Sequence, residues 1–123
     1  MTWYFQSDRP IYTQLLEQIR LRIISGEYSA GSKLPSVRDL AGEASVNPNT
    51  MQKALSELEQ SGLIYSQRTS GRYVTEDTAM IDRVKEEIAE EKIKEFFKVM
   101  GNLGLKPGDT LKLVEKAAKE MNQ

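Results

Sequence analysis

The sequence predicts a mainly α chain with one small β-hairpin: a winged helix-turn-helix followed by a two-helix C-terminal dimerisation hairpin. Three observations predict it. Residues 36–62 read as two short helices joined by a tight turn, the second opening on polar side chains. Directly after them come two short β-prone runs around a tip holding Arg68, Gly71 and Arg72. Beyond Thr75 the pattern becomes one of long helical periodicity, which divides the chain into a winged helix-turn-helix head, residues 1–75, and a tail, residues 76–123.

Trp3, Tyr4 and Phe5 make an aromatic start whose simplest role is packing on the core, the alternative being an arm at a partner interface. Pro10 opens a helix in which Ile11, Leu15, Ile19 and Ile23, helped by Leu16, form the expected buried stripe, and Gly26 stops it. Residues 28–35 read as a loop with Gly31 as its flexible point and Leu34 packing on the next helix. Ser36 and Asp39 form a capping box that starts the second helix. Ala44 to Val46 turn the chain, and Asn47 followed by Pro48 starts the third helix, an N-cap and a first-position proline. Met51, Ala54, Leu55 and Leu58 form its apolar stripe, which puts Asn49, Lys53 and Ser56 on the opposite face with Thr50 and Gln52 on the flanks. Asn and Gln can pair bidentately with adenine, and Lys can reach guanine or a phosphate, so such a face suits the major groove. A solvated face would have the same composition.

Leu63–Ser66 and Arg72–Thr75 are the expected strands of the wing, joined through residues 67–71. Arg68 and Arg72 at its tip, with small polar residues and a glycine, can lie close to a phosphodiester backbone. After a polar junction at residues 76–79, Ile81, Val84, Ile88, Ile93, Phe96 and Met100 run along one long helix. Gly101, Gly104, Pro107 and Gly108 are expected to break it, and Asp109 and Thr110 to cap a last helix carrying Leu111, Val114, Ala117, Ala118 and Met121. Two helices cannot enclose a small-molecule pocket of roughly 300–1,000 Å³, so Ile81, Val84, Ile88, Phe96, Met100, Leu111, Val114 and Met121 are expected to meet a second copy of the chain.

Composition narrows the function classes. The 123 residues contain neither Cys nor His, which removes thiol nucleophiles, imidazole bases and the usual zinc ligands. An enzyme is not expected, and no cofactor or metal is. No apolar run approaches the roughly 20 residues of a membrane span, and the start of the chain lacks the basic and apolar regions of a secretory signal, so a cytoplasmic location is expected. Residues 1–75 hold eight Lys or Arg against seven Asp or Glu, and residues 76–123 nine against eleven. With so little net charge, DNA binding depends on where Arg38, Lys53, Arg68 and Arg72 stand.

Residues 10–74 resemble the DNA-binding domain of the GntR family of bacterial transcriptional regulators. The specific parts are Gly31-x-x-Leu34-Pro35-Ser36-x-Arg38-x-Leu40-Ala41, then Val46-Asn47-x-Asn49-Thr50 with Ala54-Leu55 and Leu58-Glu59, and Gly62-Leu63-Ile64. The short two-helix tail is similar to that of the YtrA-like subfamily. The resemblance implies a dimeric repressor on double-stranded operator DNA with two half-sites, often controlling a transporter or cell-envelope stress operon in Gram-positive bacteria. It places Arg38 at a position that contacts DNA, Ser36 at one that reaches phosphate, Asn47, Asn49 and Thr50 at the start of the recognition helix, and Gly71 at the wing glycine. The chain departs from relatives at Pro48 and Gln52, where many have arginine, and at Thr69, where a second wing glycine is common. Any effector would have to bind at the dimer interface or between head and tail.

Two other function classes compete. A winged-helix adapter that docks another protein is favoured by the low positive charge. A carboxylate site at Glu86, Glu87, Glu90 and Glu91 has helical spacing, but the interleaved Lys85, Lys92 and Lys94 make a solvated charged face.

Overall fold

The structure is a computed structural model that describes residues 2–123. In chain order the described residues form α1 (Ile11–Ile24), α2 (Val37–Ala44), α3 (Pro48–Ser61), β1 (Ile64–Gln67), β2 (Gly71–Val74), α4 (Thr78–Asn102) and α5 (Pro107–Met121). They divide into two compact units, one ending at Val84 and the other running from Lys85 to Gln123.

The core of the first unit is built around α3. Met51, Ala54, Leu55 and Leu58 are buried against α1, and α3 also packs on α2 and β1. Leu15, Ile19 and Ile23 supply the α1 side, while Leu34, Leu40, Ala41, Ala44, Leu63, Ile64 and Val74 complete the core. Ile11, expected in the buried stripe, is instead 39% exposed. A strict four-residue repeat rotates by roughly 40° per step on a 3.6-residue helix, so a stripe centred on Leu15 to Ile23 turns its first member outward.

The aromatic start runs extended along α1. The amide side chain of Gln18 accepts from the Tyr4 N–H and donates to the Tyr4 carbonyl, and Gln14 does the same for Gln6. Two glutamines one turn apart thus satisfy a backbone that has no strand beside it. Side chains alternate along such a segment: Trp3 and Phe5 are half-buried and Tyr4 is exposed. The Arg22 guanidinium stacks 3.7 Å from the Trp3 ring centroid.

β1 and β2 are antiparallel, with Ile64 opposite Val74 and Gln67 opposite Gly71. Each strand lies one residue nearer the tip than expected, leaving residues 68–70 as the turn, closed by the Ser70 N–H to the Gln67 carbonyl at 3.2 Å. The loop before α2 is more ordered than its composition implies. Leu34 N–H donates to the Arg72 carbonyl and Val74 N–H to the Ser32 carbonyl, each at 2.9 Å, so residues 32–34 pair with the free edge of β2.

α4 begins on the first unit. The Asp77 carboxylate caps it by accepting from Met80 N–H at 3.0 Å, and Met80 lies against Gly62, where an added Cβ would stand 3.3 Å from the Met80 Cε. Gly62 ends α3 at φ +89°, a conformation costly for any residue with a Cβ. Ile81, expected at a subunit interface, is only 8% exposed, which leaves it little surface for a partner.

In the second unit α4 continues through Gly101 to Asn102, and Gly104 at φ +91° reverses the chain. The last helix starts earlier than expected, at Pro107, because a proline at the first helical position gives up no needed hydrogen bond. Lys106 is its N-cap, and the Asp109 carboxylate accepts from the Lys106 N–H. Thr110, expected as a cap, is buried in the first turn instead. The two helices pack little on each other, so the pair is open. Its apolar side chains stay uncovered: Ile93, Phe96, Val99 and Leu103 on α4, and Leu111, Val114 and Met121 on α5, are exposed, while Val84, Ile88 and Met100 are half-buried.

Candidate nucleic-acid interface

The turn between α2 and α3 is set by local chemistry. Ser45 takes the left-handed conformation at φ 56° and ends α2, and the Val46 N–H returns to the Ala41 carbonyl at 3.0 Å. The Asn47 side-chain oxygen then accepts from the Asn49 N–H at 2.8 Å, with Pro48 at the first helical position. That bond commits the oxygen to holding the start of α3. The first turn of α3 is therefore fixed while Asn49, Gln52 and Lys53 are exposed and Thr50 half-exposed.

The start of α2 is a second element of the site. Ser36 Oγ accepts from the Asp39 N–H at 3.1 Å, and its hydroxyl proton remains available to an anion. Of the expected capping box this half forms; the return bond from Asp39 is absent among the described residues. Arg38 projects from the first turn of α2, exposed and with no ion-pair partner among the described residues. Between this helix start and the hairpin lies a groove of about 450 Å³, walled by Pro35, Ser36 and Asp39 on one side and Ser70, Gly71 and Arg72 on the other, with Lys33 at its edge.

The hairpin supplies the third element. Arg68 stands exposed in the turn, without an ion-pair partner among the described residues. Gly71, at φ +115°, keeps the backbone bare beside Lys33, whose Cε an added Cβ would approach to 3.3 Å. Tyr65 and Tyr73, directly opposite in register, stack at 5.7 Å between centroids and stiffen the strands behind the tip.

Three of the residues expected to contact DNA, Arg72, Gln52 and Lys53, are already engaged within the chain. Arg72 Nε donates to the Glu59 carboxylate, and its Nη1 donates to Gln52 Oε1 at 3.3 Å. Ser66 Oγ donates to the same Glu59 oxygen at 2.7 Å. The Ser66 hydroxyl and then the Arg72 guanidinium hold the Glu59 carboxyl below its ordinary value. The structure thus brings Gln52 and Arg72 together, whereas Arg38 and Arg68 belong to separate elements. The Lys53 ammonium sits 4.2 Å from the Tyr12 ring centroid, and the Tyr12 hydroxyl donates to Glu57. Sequence reasoning missed Lys33, Glu59 and Tyr12. Glu59 alone carried a signal, being part of the Leu58-Glu59 motif of the resemblance and lying seven residues from Gln52, near the same helix face.

Among the described residues no three acidic side chains converge to hold a metal ion, and no helix is long and apolar enough to cross a membrane.

The model of the bacterial regulatory proteins of the gntR family matches residues 11–74. The uncharacterized HTH-type transcriptional regulator YhcF of Bacillus subtilis is 41% identical over 82% of this chain and 84% of its own. The HTH-type transcriptional repressor YtrA of the same organism is 43% identical over 58% of this chain and 55% of its own. A GntR family transcriptional regulator from Listeria monocytogenes superposes with a TM-score of 0.84 at 39% identity, covering 91% of this chain and 98% of that one. The DNA-binding domain of AraR, solved in complex with operator ORX1, superposes with a TM-score of 0.54 at 30% identity, covering 58% of this chain and 93% of that domain.

Proposed function

Since the chain belongs to the GntR family and is a transcriptional regulator with a winged helix-turn-helix DNA-binding domain, we propose that it acts as a homodimeric repressor that reads an operator with two half-sites. Residues 1–75 are the DNA-binding head and residues 76–123 the element that holds two copies together. The observation that carries this reading is the exposed first turn of α3, together with exposed cations on α2 and on the hairpin turn, Arg38 and Arg68, that have no ion-pair partner among the described residues. Asn49, Thr50, Gln52 and Lys53 face base edges in the major groove, with Asn47 holding the helix start. Ser36 donates to a phosphate and Arg38 enters the groove beside it. Arg68 grips the backbone, Gly71 lets the chain approach it, and Arg72 supports the wing from behind.

Dimerisation is supported by the open helix pair. Apolar stripes left uncovered on both α4 and α5 are costly in water, and the corresponding pair of a second copy covers them with matching surface. The resemblance to the YtrA-like subfamily supports a local operon of transporter or cell-envelope function as the target, in a cytoplasmic setting.

The test is a titration of the full chain against the duplex upstream of its own gene and against a scrambled duplex of equal length, at one physiological salt concentration. Binding to the first should be at least about 10³-fold tighter, and transcription from that promoter should fall. Equal affinity for the two duplexes would refute the reading and favour the adapter alternative.

A further inference from the structure

Resting on the DNA-reading role of α3, we propose that Arg72 fixes which face of the Gln52 amide is offered to DNA, making Gln52 a hydrogen-bond donor selective for guanine rather than a bidentate partner of adenine. A glutamine amide holds one acceptor oxygen and two donor hydrogens, and in solution it turns freely between them. A guanidinium has donors only. Where the two meet, the amide must present its oxygen to the arginine. Arg72 Nη1 donates to Gln52 Oε1 at 3.3 Å, so the NH₂ group is turned away from the wing.

The arginine is not free to follow the amide. Its Nε is paired with the Glu59 carboxylate, and that carboxylate is itself held by the Ser66 hydroxyl at 2.7 Å. Arg72 is largely buried, its side chain 18% exposed. The charge-assisted bond to Glu59 therefore anchors one side of the guanidinium on α3 while the other reaches Gln52 two turns nearer the helix start. Arg72 is a positioning residue, and Gln52 is the one that touches the base.

Base chemistry then follows from the donors left. Adenine in the major groove offers N7 as acceptor and the N6 amino group as donor, so a bidentate partner must give it an amide oxygen as well as an NH₂. The Gln52 oxygen lies beside a cation, and the N6 hydrogens would point at that same positive charge. Guanine offers two acceptors, N7 and O6, and takes the NH₂ alone. An isolated glutamine on a recognition helix would favour adenine; this one favours guanine because of a residue that need not touch the base.

The test uses the full chain to select from a library of duplexes randomised over the operator. The parent should favour guanine over adenine by roughly tenfold at one base pair in each half-site. Gln52→Ala should lose that preference and leave the other positions unchanged. Arg72→Met, which removes the donor and keeps the bulk, should move the preference at that base pair toward adenine. Guanine retained in Arg72→Met, or a uniform loss of affinity with a shallower salt slope, overturns the proposal by making Arg72 a phosphate contact. If Arg72→Met loses its circular dichroism, Glu59→Gln carries the same arm: a narrowed guanine preference supports the proposal and an unchanged one overturns it. A parent that selects no sequence overturns the DNA-reading role and this proposal together. A parent that selects a site, with Gln52→Ala giving the same profile, overturns this proposal alone.

Discussion

Glu59 sits near the end of the recognition helix, yet it accepts from Ser66 on one strand of the wing and from Arg72 on the other. One carboxylate thus ties α3 to both strands of the wing. Its folded-state carboxyl is held below the ordinary value near 4.5, so the stability it contributes is complete above that value and is lost as the pH falls through the depressed one. Glu59→Gln should destabilise the head by about 1 kcal/mol near neutral pH, since the group is partly exposed and screened. Thermal unfolding of parent and variant from pH 7 to pH 3 checks this. The gap should be constant down to about pH 5 and close below it; a gap that keeps its size to pH 3 would show that Glu59 acts through packing and not through charge. Buried Thr110 makes a contrasting case, because its hydroxyl finds no partner among the described residues and so adds a cost without a bond.

Among the elements, α2 and the wing present Arg38 and Arg68, neither with an ion-pair partner among the described residues, in different settings, and the proposed roles differ accordingly. Arg38 stands in the first turn of α2, where an exposed guanidinium can reach a base edge; Arg68 stands exposed in the hairpin turn beside Thr69 and Ser70, a setting suited to a phosphate. Arg38→Ala should weaken binding by about 1–3 kcal/mol and relax discrimination at one operator position. Arg68→Ala should weaken all sequences alike and lower the log–log salt slope by about 0.9. Titrations at several salt concentrations check both, and an unchanged slope in Arg68→Ala would remove the wing tip from the backbone. Elements whose starts are set by neighbouring residues were legible in the sequence: Ser36 capping α2, and Asn47 and Pro48 opening α3. Pro107 misled because a proline serves equally as a stop and as a first helical residue. The pairing of Arg72 with Glu59, thirteen residues away, was not legible, because composition marks an arginine at a hairpin tip as free and only the folded register brings the carboxylate to it. The glutamines that hold the N-terminal segment were hidden likewise, since Gln14 and Gln18 read as polar positions on a surface helix.

At the scale of the whole molecule, the proposed homodimer sets two heads to act together on one duplex. A single recognition helix reads only a few base pairs, so a symmetric regulator sets two of them about one helical turn, roughly 34–36 Å, or a multiple of it apart. Helical periodicity identified which faces of α4 and α5 are apolar, but periodicity carries no information about what covers them. The structure adds that the pair is open and that Val114 and Phe96 remain exposed, which is why a charge placed there should break association without unfolding the chain. If one head binds a half-site with a dissociation constant near 10⁻⁵ M, a tether giving an effective concentration of about 1 mM makes the full site about 100-fold tighter. The most direct measurement is the ratio of full-site to half-site affinity for the parent and for Val114→Asp, at one salt concentration and with circular dichroism to verify folding. The ratio should be near 100 for the parent, with a dimer in sedimentation, and near 1 for a monomeric Val114→Asp. A parent that binds half-site and full site equally, or a monomeric Val114→Asp that keeps the parent's ratio, would contradict the proposed homodimer.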